Sequence, residues 1–356
     1  MQMKLIHCAD LHLDSPMEAN LPAEKARERK NEILSTFAKL VRLADESEVS
    51  AILISGDLFD STHITKKTES YVLELIRSHP NLYFFYLAGN HDRGNVLHRL
   101  EEKPENLCLF DDGWRSYTFG EVTITGSEKP VPDTLKLRPD TLNIVLMHGQ
   151  ERAGKGVGGE DVIRFATLKN KNIDYLALGH LHEYRTAKID DRCLACYAGC
   201  LEGRGFDECG HKGYVLIETQ NNRITHRFIP IARRELHTVE CDITGFSSHL
   251  DLEERLLNAV EGIPSGDLVK AVLVGNCPPE ALKDTAHLAS VLSERFYFAK
   301  LRDNTRLLIR PEDYRNDISL KGEFVRRVMA SNLSASEKER VIVCGFRALM
   351  GEEIGL

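Results

Sequence analysis

The sequence predicts an α/β fold in which a two-sheet β-sandwich is flanked by helices and followed by a small α+β capping domain and C-terminal helices. Over the first 90 residues, short apolar runs alternate with amphipathic stretches, a pattern typical of parallel βαβ units. Strand-like runs then succeed one another with few helices between them, which indicates two packed sheets. Near Arg233 the alternation of strands and helices begins again, and this predicts a second, smaller unit.

The N-terminal elements form a β-α-β-α-β series. Strands are predicted at residues 4–9, 51–55 and 82–87, with amphipathic helices at 23–48 and 65–78. Right-handed crossovers put the ends of such strands at one edge of the sheet, and ligands bind at that edge. The third strand leads into Gly89, Asn90, His91 and Asp92, where a glycine is followed by an amide, an imidazole and a carboxylate.

The later elements are mainly strands until residue 233. They are predicted at residues 122–125, 143–147, 175–178, 194–197, 213–218 and 224–229. The second unit is predicted to contain strands at 236–243 and 269–274, helices at 252–260 and 282–296, and a hairpin of 297–301 with 306–309. Residues 319–354 are predicted as two amphipathic helices, and Ser334 lies three residues before Glu337, as a capping box requires.

Composition and charge narrow the class of protein. A net charge of −8 argues against a nucleic-acid binder that relies on bulk positive potential, although bound metal ions can supply positive charge locally. The sequence has neither an apolar run of about 20 residues nor a basic leader. We therefore expect a cytoplasmic protein with no membrane span.

The nine cysteines favour reduced thiols, because an odd number in a large chain without a secretion signal does not indicate a disulfide framework. Cys193, Cys196, Cys200 and Cys209, with His211 nearby, could suggest a zinc site. However, Cys193 and Cys196 lie three apart in a predicted strand, so their side chains would face opposite ways. We favour ordinary strand and loop thiols.

Polar side chains follow many of the predicted strands. The set consists of Asp10, His12, Asp57, Asn90, His91, His148, His180 and His182. Two carboxylates, an amide oxygen and several imidazoles are too many ligands for one ion but suit two. Nitrogen and oxygen donors without thiolate favour manganese, iron or zinc over calcium. The alternative, separate hydrogen-bonded histidines, fits poorly because each member lies beside a glycine or short turn at the same edge.

Five short segments of the chain resemble a known family. The segments Asp10-Leu11-His12, GDLFD at 56–60, GNHD at 89–92, His148-Gly149 and GHLH at 179–182 resemble the five ordered motifs of the calcineurin-like metallophosphoesterases. The longer strings ADLHLDSP at 9–16 and GCLEGRGF at 199–206 resemble the SbcD-like DNA repair nucleases, in their YhaO-type bacterial branch. Ala198 departs from this pattern, in which proline precedes the glycine.

The resemblance implies roles for the polar set. It assigns Asp10, His12 and His182 to a first metal, Asn90, His148 and His180 to a second, and Asp57 as a bridge between them. His91 would be catalytic and face the scissile phosphate, oriented by Asp92. The ions would be two divalent cations, manganese first, with iron, zinc or magnesium as alternatives. A hydroxide formed on the paired ions would attack phosphorus in line.

The first functional hypothesis is a metal-dependent DNA exo/endonuclease of the double-strand-break repair type. Residues 1–232 would form the metallophosphoesterase domain, 233–312 a DNA-binding capping domain, and 313–356 a helical segment that docks an SbcC-like (SMC-type ABC) ATPase. The helical faces could instead pack on the chain's own body. The resemblance also allows a homodimer.

Two other functions stay open. The same metal core serves phosphodiesterases or phosphatases that act on small nucleotides or phosphoproteins. A DNA-end-binding scaffold with a vestigial metal site is the third hypothesis, although no ligand is missing from the pattern. Near the site, the glycine-rich stretch 153–159 is expected to be a loop beside His148, and Arg93 and Arg204 could contact DNA phosphates or form ordinary ion pairs.

Overall fold

The computed structural model describes residues 3–17, 21–152, 161–279, 281 and 283–349. The glycine-rich stretch 153–159 and the end of the predicted last helix lie outside these residues. The chain divides into two compact units, Met1–Leu236 and His237–Leu356. In the described part of the chain, no helix combines the length and apolar character that crossing a bilayer requires.

The first unit contains two α-helices and fourteen strands among its described residues. The helices are α1 (Ala23–Glu46) and α2 (Lys66–Ser78). The strands are β1 (Met3–Cys8), β2 (Ala51–Ser55), β3 (Tyr83–Leu87), β4 (Leu107–Leu109), β5 (Arg115–Phe119), β6 (Val122–Gly126), β7 (Leu142–His148), β8 (Gln150–Glu151), β9 (Val162–Ile163), β10 (Tyr175–Gly179), β11 (Arg185–Lys188), β12 (Leu194–Tyr197), β13 (Gly213–Gln220) and β14 (Arg223–Pro230).

Twelve of these strands form two six-stranded sheets, in the orders β14-β13-β1-β2-β3-β4 and β11-β12-β10-β7-β6-β5, and β8 and β9 pair in a separate two-stranded sheet. Strands β1 to β4 run parallel, as do β12, β10, β7 and β6 in the second sheet. Side chains from both sheets meet in one core that includes Leu5, Leu53, Phe85, Leu146 and Tyr175. The predicted two-sheet sandwich is therefore confirmed.

Burial explains why the parallel strands could be found in the sequence. Every residue of β2 and of β7 is buried. Parallel strands covered on both faces carry such continuous apolar runs. Within α1, Ile33, Phe37, Leu40, Val41 and Ala44 are all buried at three- and four-residue spacing, as the amphipathic pattern predicts.

The second unit has its own small core. Its strands are β15 (Leu236–Asp242), β16 (Leu268–Val274), β17 (Asn276–Cys277), β18 (Phe298–Asp303) and β19 (Arg306–Leu307), and its helices are α3 (His249–Ala259), α4 (Thr285–Arg295), α5 (Leu320–Met329) and α6 (Ala335–Leu349). The predicted closing hairpin is wrong. Strand β18 pairs in parallel with β16, and β19 pairs in parallel with β17. The physical reason is that α4 forms a crossover between β16 and β18, and such a connection joins parallel strands.

The two C-terminal helices pack on each other. Val325 and Val328 of α5 and Ile342 and Phe346 of α6 are buried together with Tyr314. The predicted capping box is present, since Ser334 N donates to Glu337 Oε2 at 2.8 Å and Glu337 N donates to Ser334 Oγ at 3.4 Å. The apolar faces read from the sequence are thus largely covered within this unit.

Candidate metal centre

The predicted polar set lies where strand ends of the two sheets of the first unit meet. Asp10, Asp57 and His180 follow β1, β2 and β10, and they all have positive φ angles, of 53°, 51° and 98°. Asp10 N donates to Gly56 O at 3.1 Å, which ties the first two loops together. Backbone in this sparsely populated region is typical of functional sites, where neighbouring structure fixes it.

Steric crowding explains why two of these turns contain glycine, at Gly56 and Gly89. A Cβ added at Gly89 would lie 2.7 Å from both Cγ and N of Asp57, closer than side-chain atoms can approach. At Gly56 the φ angle is +95°, and a Cβ would overlap the imidazole of His148. The glycines of the GD and GNH segments therefore allow the loops to approach each other closely.

The structure brings Asp10, His12 and His182 together as one group of potential ligands, with ligand atoms within 4.8 Å of one another. The Nε2 atoms of His12 and His182 face each other at 3.3 Å. Both oxygens of Asp10 accept from the backbone N–H of His180, at 2.8 and 3.0 Å. This set is the predicted first metal position.

A second set surrounds the side-chain oxygen of Asn90. His148 Nε2 lies 2.9 Å from Asn90 Oδ1, and His180 Nδ1 lies 3.1 Å from the same oxygen. Asp57 stands between the two sets, because its Oδ2 is 3.3 Å from His148 Nε2 and 3.8 Å from His12 Nε2. Its other oxygen, Oδ1, accepts from His91 N at 3.0 Å. A single oxygen of Asp57 thus faces both positions.

Two of the imidazoles are hydrogen-bonded from behind through Nδ1, and the third, that of His12, has a carboxylate oxygen close to Nδ1 outside hydrogen-bond geometry. His148 Nδ1 lies 2.9 Å from Ser55 O, His182 Nδ1 lies 2.7 Å from Glu208 Oε1, and His12 Nδ1 lies 3.1 Å from Asp60 Oδ1. An oxygen at Nδ1 favours the tautomer that carries its proton there. The Nε2 lone pairs of these histidines then face the centre of the site, as metal-binding histidines require.

Electrostatics agree with a cationic occupant. In this tautomer, acceptor atoms face acceptor atoms at 3.3 Å between His12 and His182 and at 2.9 Å between His148 and Asn90. Burial raises the pKa of Asp10 to about 6, so its anionic form costs more than in water and a neighbouring cation would stabilise it. Divalent ions would relieve both conflicts, and the nitrogen and oxygen donors suit manganese, iron or zinc.

Asp57 and His148 form a charged pair within the site. Burial alone would raise the pKa of Asp57, but the hydrogen bond and charge of His148 outweigh it and hold that pKa well below its usual range. Burial alone would lower the pKa of His148, but Asp57 outweighs this effect and raises the pKa to about 9. The shift shows that Asp57 favours positive charge at this position, which a bound cation would supply in place of a proton.

His91 lies at the exposed rim of the cluster. Its ring Nδ1 is 3.1 Å from Asp60 O, and its ring centre is 4.9 Å from that of His12. The prediction that Asp92 orients this ring requires correction. The buried Asp92 carboxylate accepts from Phe59 N, Tyr86 Oη and Gly89 N at 3.0, 2.6 and 2.8 Å, because it points into the turn. Asp92 shapes the loop, and Asp60 holds the ring.

Three residues of the centre were not singled out as site residues from the sequence. Asp60 is the last residue of the GDLFD segment, so the motif could have indicated it as a site residue. Glu208 lies in no motif that could have done so. The sequence allows Arg204 to be a DNA contact or an ion pair, and in the structure it pairs with Asp60 at 3.0 Å and with Glu208 at 2.9 Å. Arg93 pairs with Asp161 at 3.1 Å. All nine cysteines are free, and the ligand groups found in the described part of the chain contain none of them.

The sequence pattern of the calcineurin-like phosphoesterases matches residues 3–184, just over half of the chain. The chain belongs to the calcineurin-like phosphoesterase family. It is accordingly a metal-dependent phosphoesterase, a hydrolase, and the clustered donors all lie within the matched residues.

Two curated relatives resemble this phosphoesterase at 26% identity. The metallophosphoesterase YhaO of Bacillus subtilis (strain 168) matches over 245 residues, which cover 64% of this chain and 60% of YhaO. The DNA double-strand break repair protein Mre11 of Sulfurisphaera tokodaii matches over 259 residues, which cover 66% of this chain and 65% of Mre11. The chain thus spans less than two thirds of the length of either relative.

Solved structures resemble this phosphoesterase more distantly. A dimetal phosphatase from Danio rerio is 8% identical, with a TM-score of 0.42 over 64% of this chain and 96% of the phosphatase. A purple acid phosphatase from yellow lupin (Lupinus luteus) seeds is 14% identical, with a TM-score of 0.42 over 65% of this chain and 52% of that enzyme.

Proposed function

We propose that this phosphoesterase is a divalent-metal-dependent DNA exo/endonuclease of the double-strand-break repair type. The observation that carries the proposal is the cluster of seven nitrogen and oxygen donors with the exposed His91 at its rim. The cluster consists of Asp10, His12, Asp57, Asn90, His148, His180 and His182. The similarity to Mre11 favours DNA as the substrate, because it extends over 259 residues, whereas the family pattern matches only residues 3–184.

The chain's residues would divide the work. Two bound cations, manganese in the first instance, would supply an activated water and neutralise the phosphate. Asn90 offers an oxygen donor without adding a negative charge that would repel a phosphodiester. The Asp60 carbonyl holds the Nδ1 side of His91 at 3.1 Å, which leaves Nε2 to stabilise the developing charge or to give a proton to the leaving 3′-oxygen.

The rest of the chain would serve the same reaction. We assign residues 233–312 to a capping domain that contacts DNA and residues 313–356 to a helical segment that docks an SbcC-like ATPase, in the cytoplasm. Exposed Met329 and Leu349 on the C-terminal helices, 45% and 41% accessible, support a docking role. The net charge of −8 makes DNA binding dependent on positive charge at the metal centre.

The test compares substrates with one preparation of the purified chain. Manganese is added to end-labelled single-stranded and double-stranded linear DNA, with and without the cognate ATPase, and to bis(p-nitrophenyl) phosphate in parallel. We expect manganese-dependent shortening of DNA that excess EDTA abolishes. Hydrolysis of the small diester with intact DNA would favour a phosphodiesterase for small substrates, and tight metal-independent DNA binding without turnover would indicate a scaffold.

A further inference from the structure

Arg204 lies between two carboxylates behind the donor cluster. Its Nη1 donates to Asp60 Oδ1 at 3.0 Å, and its Nη2 donates to Glu208 Oε1 at 2.9 Å. Its backbone N–H also donates to Glu208 Oε2 at 2.7 Å, and the side chain is only 18% exposed. The guanidinium is therefore fixed at both ends of its planar fork.

Each of these carboxylates contacts the outer nitrogen of one histidine. Asp60 Oδ1 lies 3.1 Å from His12 Nδ1, and Glu208 Oε1 lies 2.7 Å from His182 Nδ1. The inner Nε2 atoms of the two histidines then meet at 3.3 Å. One arginine thus supports, through two carboxylates, two of the three donors in the group that includes Asp10.

The loop that carries Arg204 is anchored independently of that side chain. The neighbouring Glu202 accepts from Arg29 Nη2 at 2.9 Å and from Thr36 Oγ1 at 2.6 Å, and Arg29 and Thr36 both belong to α1. At Gly203 an added Cβ would lie 2.8 Å from Glu208 O, so the loop closes tightly on itself. Replacing the Arg204 side chain therefore leaves other interactions that keep the loop in place.

The second donor set has a different support. His148 Nδ1 rests on the backbone carbonyl of Ser55 at 2.9 Å, and Asn90 and His180 face each other at 3.1 Å. The contacts of Arg204 instead support the group that includes Asp10. A change at Arg204 should consequently act on one metal position and spare the second.

We propose that Arg204 is a positioning residue that sets the affinity of the Asp10, His12 and His182 group for its ion, an inference that rests on the proposed two-ion site. Its charge and fork hold both carboxylates in place. Glu208 then fixes the Nδ1 side of His182 at 2.7 Å and Asp60 lies 3.1 Å from Nδ1 of His12, so both rings turn Nε2 toward the ion. Arginine suits this task because a planar fork can bond two carboxylates in a fixed geometry, whereas the compact ammonium of lysine cannot.

The test is a calorimetric titration of the metal-free chain with Mn²⁺. We expect wild type to bind two ions. In Arg204→Met, one dissociation constant should rise about 10- to 100-fold, the usual cost of losing an outer-sphere partner, while the other stays at its wild-type value. Arg204→Lys should resemble Arg204→Met, because charge alone does not bridge the carboxylates. The matched control is Arg223→Met, an exposed arginine at the start of β14, at the end of the sheet opposite the donors, which should leave both constants unchanged.

The other outcomes are distinguishable. Wild-type affinities in Arg204→Met, or equal losses at both positions, overturn the inference. If circular dichroism shows that this variant does not fold, Glu208→Gln replaces it. Wild-type Mn²⁺ dissociation constants in Glu208→Gln would also overturn the inference. A wild-type chain that binds only one ion contradicts both the proposed site and this inference. If wild type binds two ions and the variant loses affinity at one position only, the role of Arg204 is supported. Absence of DNA cleavage in the same wild-type preparation would contradict the nuclease function alone.

Discussion

Asp92 holds the turn that carries Asn90 and His91. Its carboxylate is fully buried and accepts hydrogen bonds from Phe59 N, Tyr86 Oη and Gly89 N. Burial, and after it the nearby charge of Asp57, raises the pKa of Asp92 to about 6, although these hydrogen bonds oppose the shift. The three donors define its role as a support for the backbone.

The variant Asp92→Asn tests that role. An amide can accept through only one of its two polar atoms, so a buried N–H or O–H donor loses its partner, at a cost of about 1–3 kcal/mol of unfolding free energy. Urea denaturation of wild type and variant measures this difference. Tyr86→Phe removes one donor to Asp92 together with the oxygen that accepts from Asn95 Nδ2, so it measures the contribution of the hydroxyl separately. Equal stability of wild type and Asp92→Asn would show that the carboxylate does not hold the turn.

The pair of His98 and Glu128 makes the stability of the same turn depend on pH. Its Nε2 lies 2.9 Å from Glu128 Oε1, and that carboxylate also accepts from Ala88 N at 3.2 Å. Burial alone would lower the pKa of His98, but the hydrogen bond and charge of Glu128 outweigh it and raise the pKa above 6.5. The stabilisation is therefore complete below the unfolded-state pKa and is lost as pH rises through the folded-state value.

We accordingly expect His98→Gln to cost most stability in mildly acidic buffer. The difference in unfolding free energy between wild type and variant should shrink as pH rises above about 6.5, because His98 loses its proton as pH passes its raised folded-state pKa. Denaturant titrations at several pH values measure it. A difference that grows with pH would contradict the assigned pair.

At the scale of elements, the metal centre depends on how closely the strand-end loops approach each other. Gly89 at the end of β3 lies against Asp57 at the end of β2, and the two strands are parallel neighbours. The carboxylate that faces both donor sets is thus placed by a backbone contact. The close approach leaves no volume for a side chain at Gly89.

The variant Gly89→Ala should displace Asp57. The added Cβ would lie 2.7 Å from Asp57 Cγ, so we expect Mn²⁺ affinity to fall at least about tenfold, as the loss of a metal ligand or its support does. Calorimetric titration checks this. Gly113→Ala is the matched control, since a Cβ there meets nothing within 4 Å. Equal Mn²⁺ affinity in both variants would show that Asp57 is not a metal ligand.

The sequence revealed most elements because burial leaves a pattern. Strands with both faces covered, such as β2 and β7, are continuous apolar runs and were predicted. The edge strands β5 and β11 were missed because most of their residues are exposed, so they show no such run. The false hairpin arose because pairing partners depend on the crossover through α4, which local patterns do not record.

At the scale of the whole molecule, topology explains why the site residues could be found from the sequence. Polar residues at strand ends were expected to converge, and the structure places the eight predicted side chains in one region. The supports could not be found in the same way. Glu208 reaches His182 across 26 residues of chain, and Asp60 reaches Arg204 across 144. Such partners depend on tertiary contacts that no short motif records.

The division of the chain bears on function as well. The donor cluster lies entirely within the first compact unit, Met1–Leu236, while the second, His237–Leu356, has separate apolar cores. The assignment of residues 233–312 to DNA contact and of 313–356 to ATPase docking stays a prediction. The ion-binding steps of the account can therefore be measured without a partner protein.

The most direct test of the account measures metal content and DNA cleavage in one preparation of His91→Ala. His91 faces the cluster's rim without being assigned as a ligand, so we predict two bound Mn²⁺ ions, as in wild type, and a rate of DNA cleavage lower by about 10²- to 10⁴-fold. The contradicting result is a variant that loses an ion, or one that retains both ions and cleaves DNA at the wild-type rate.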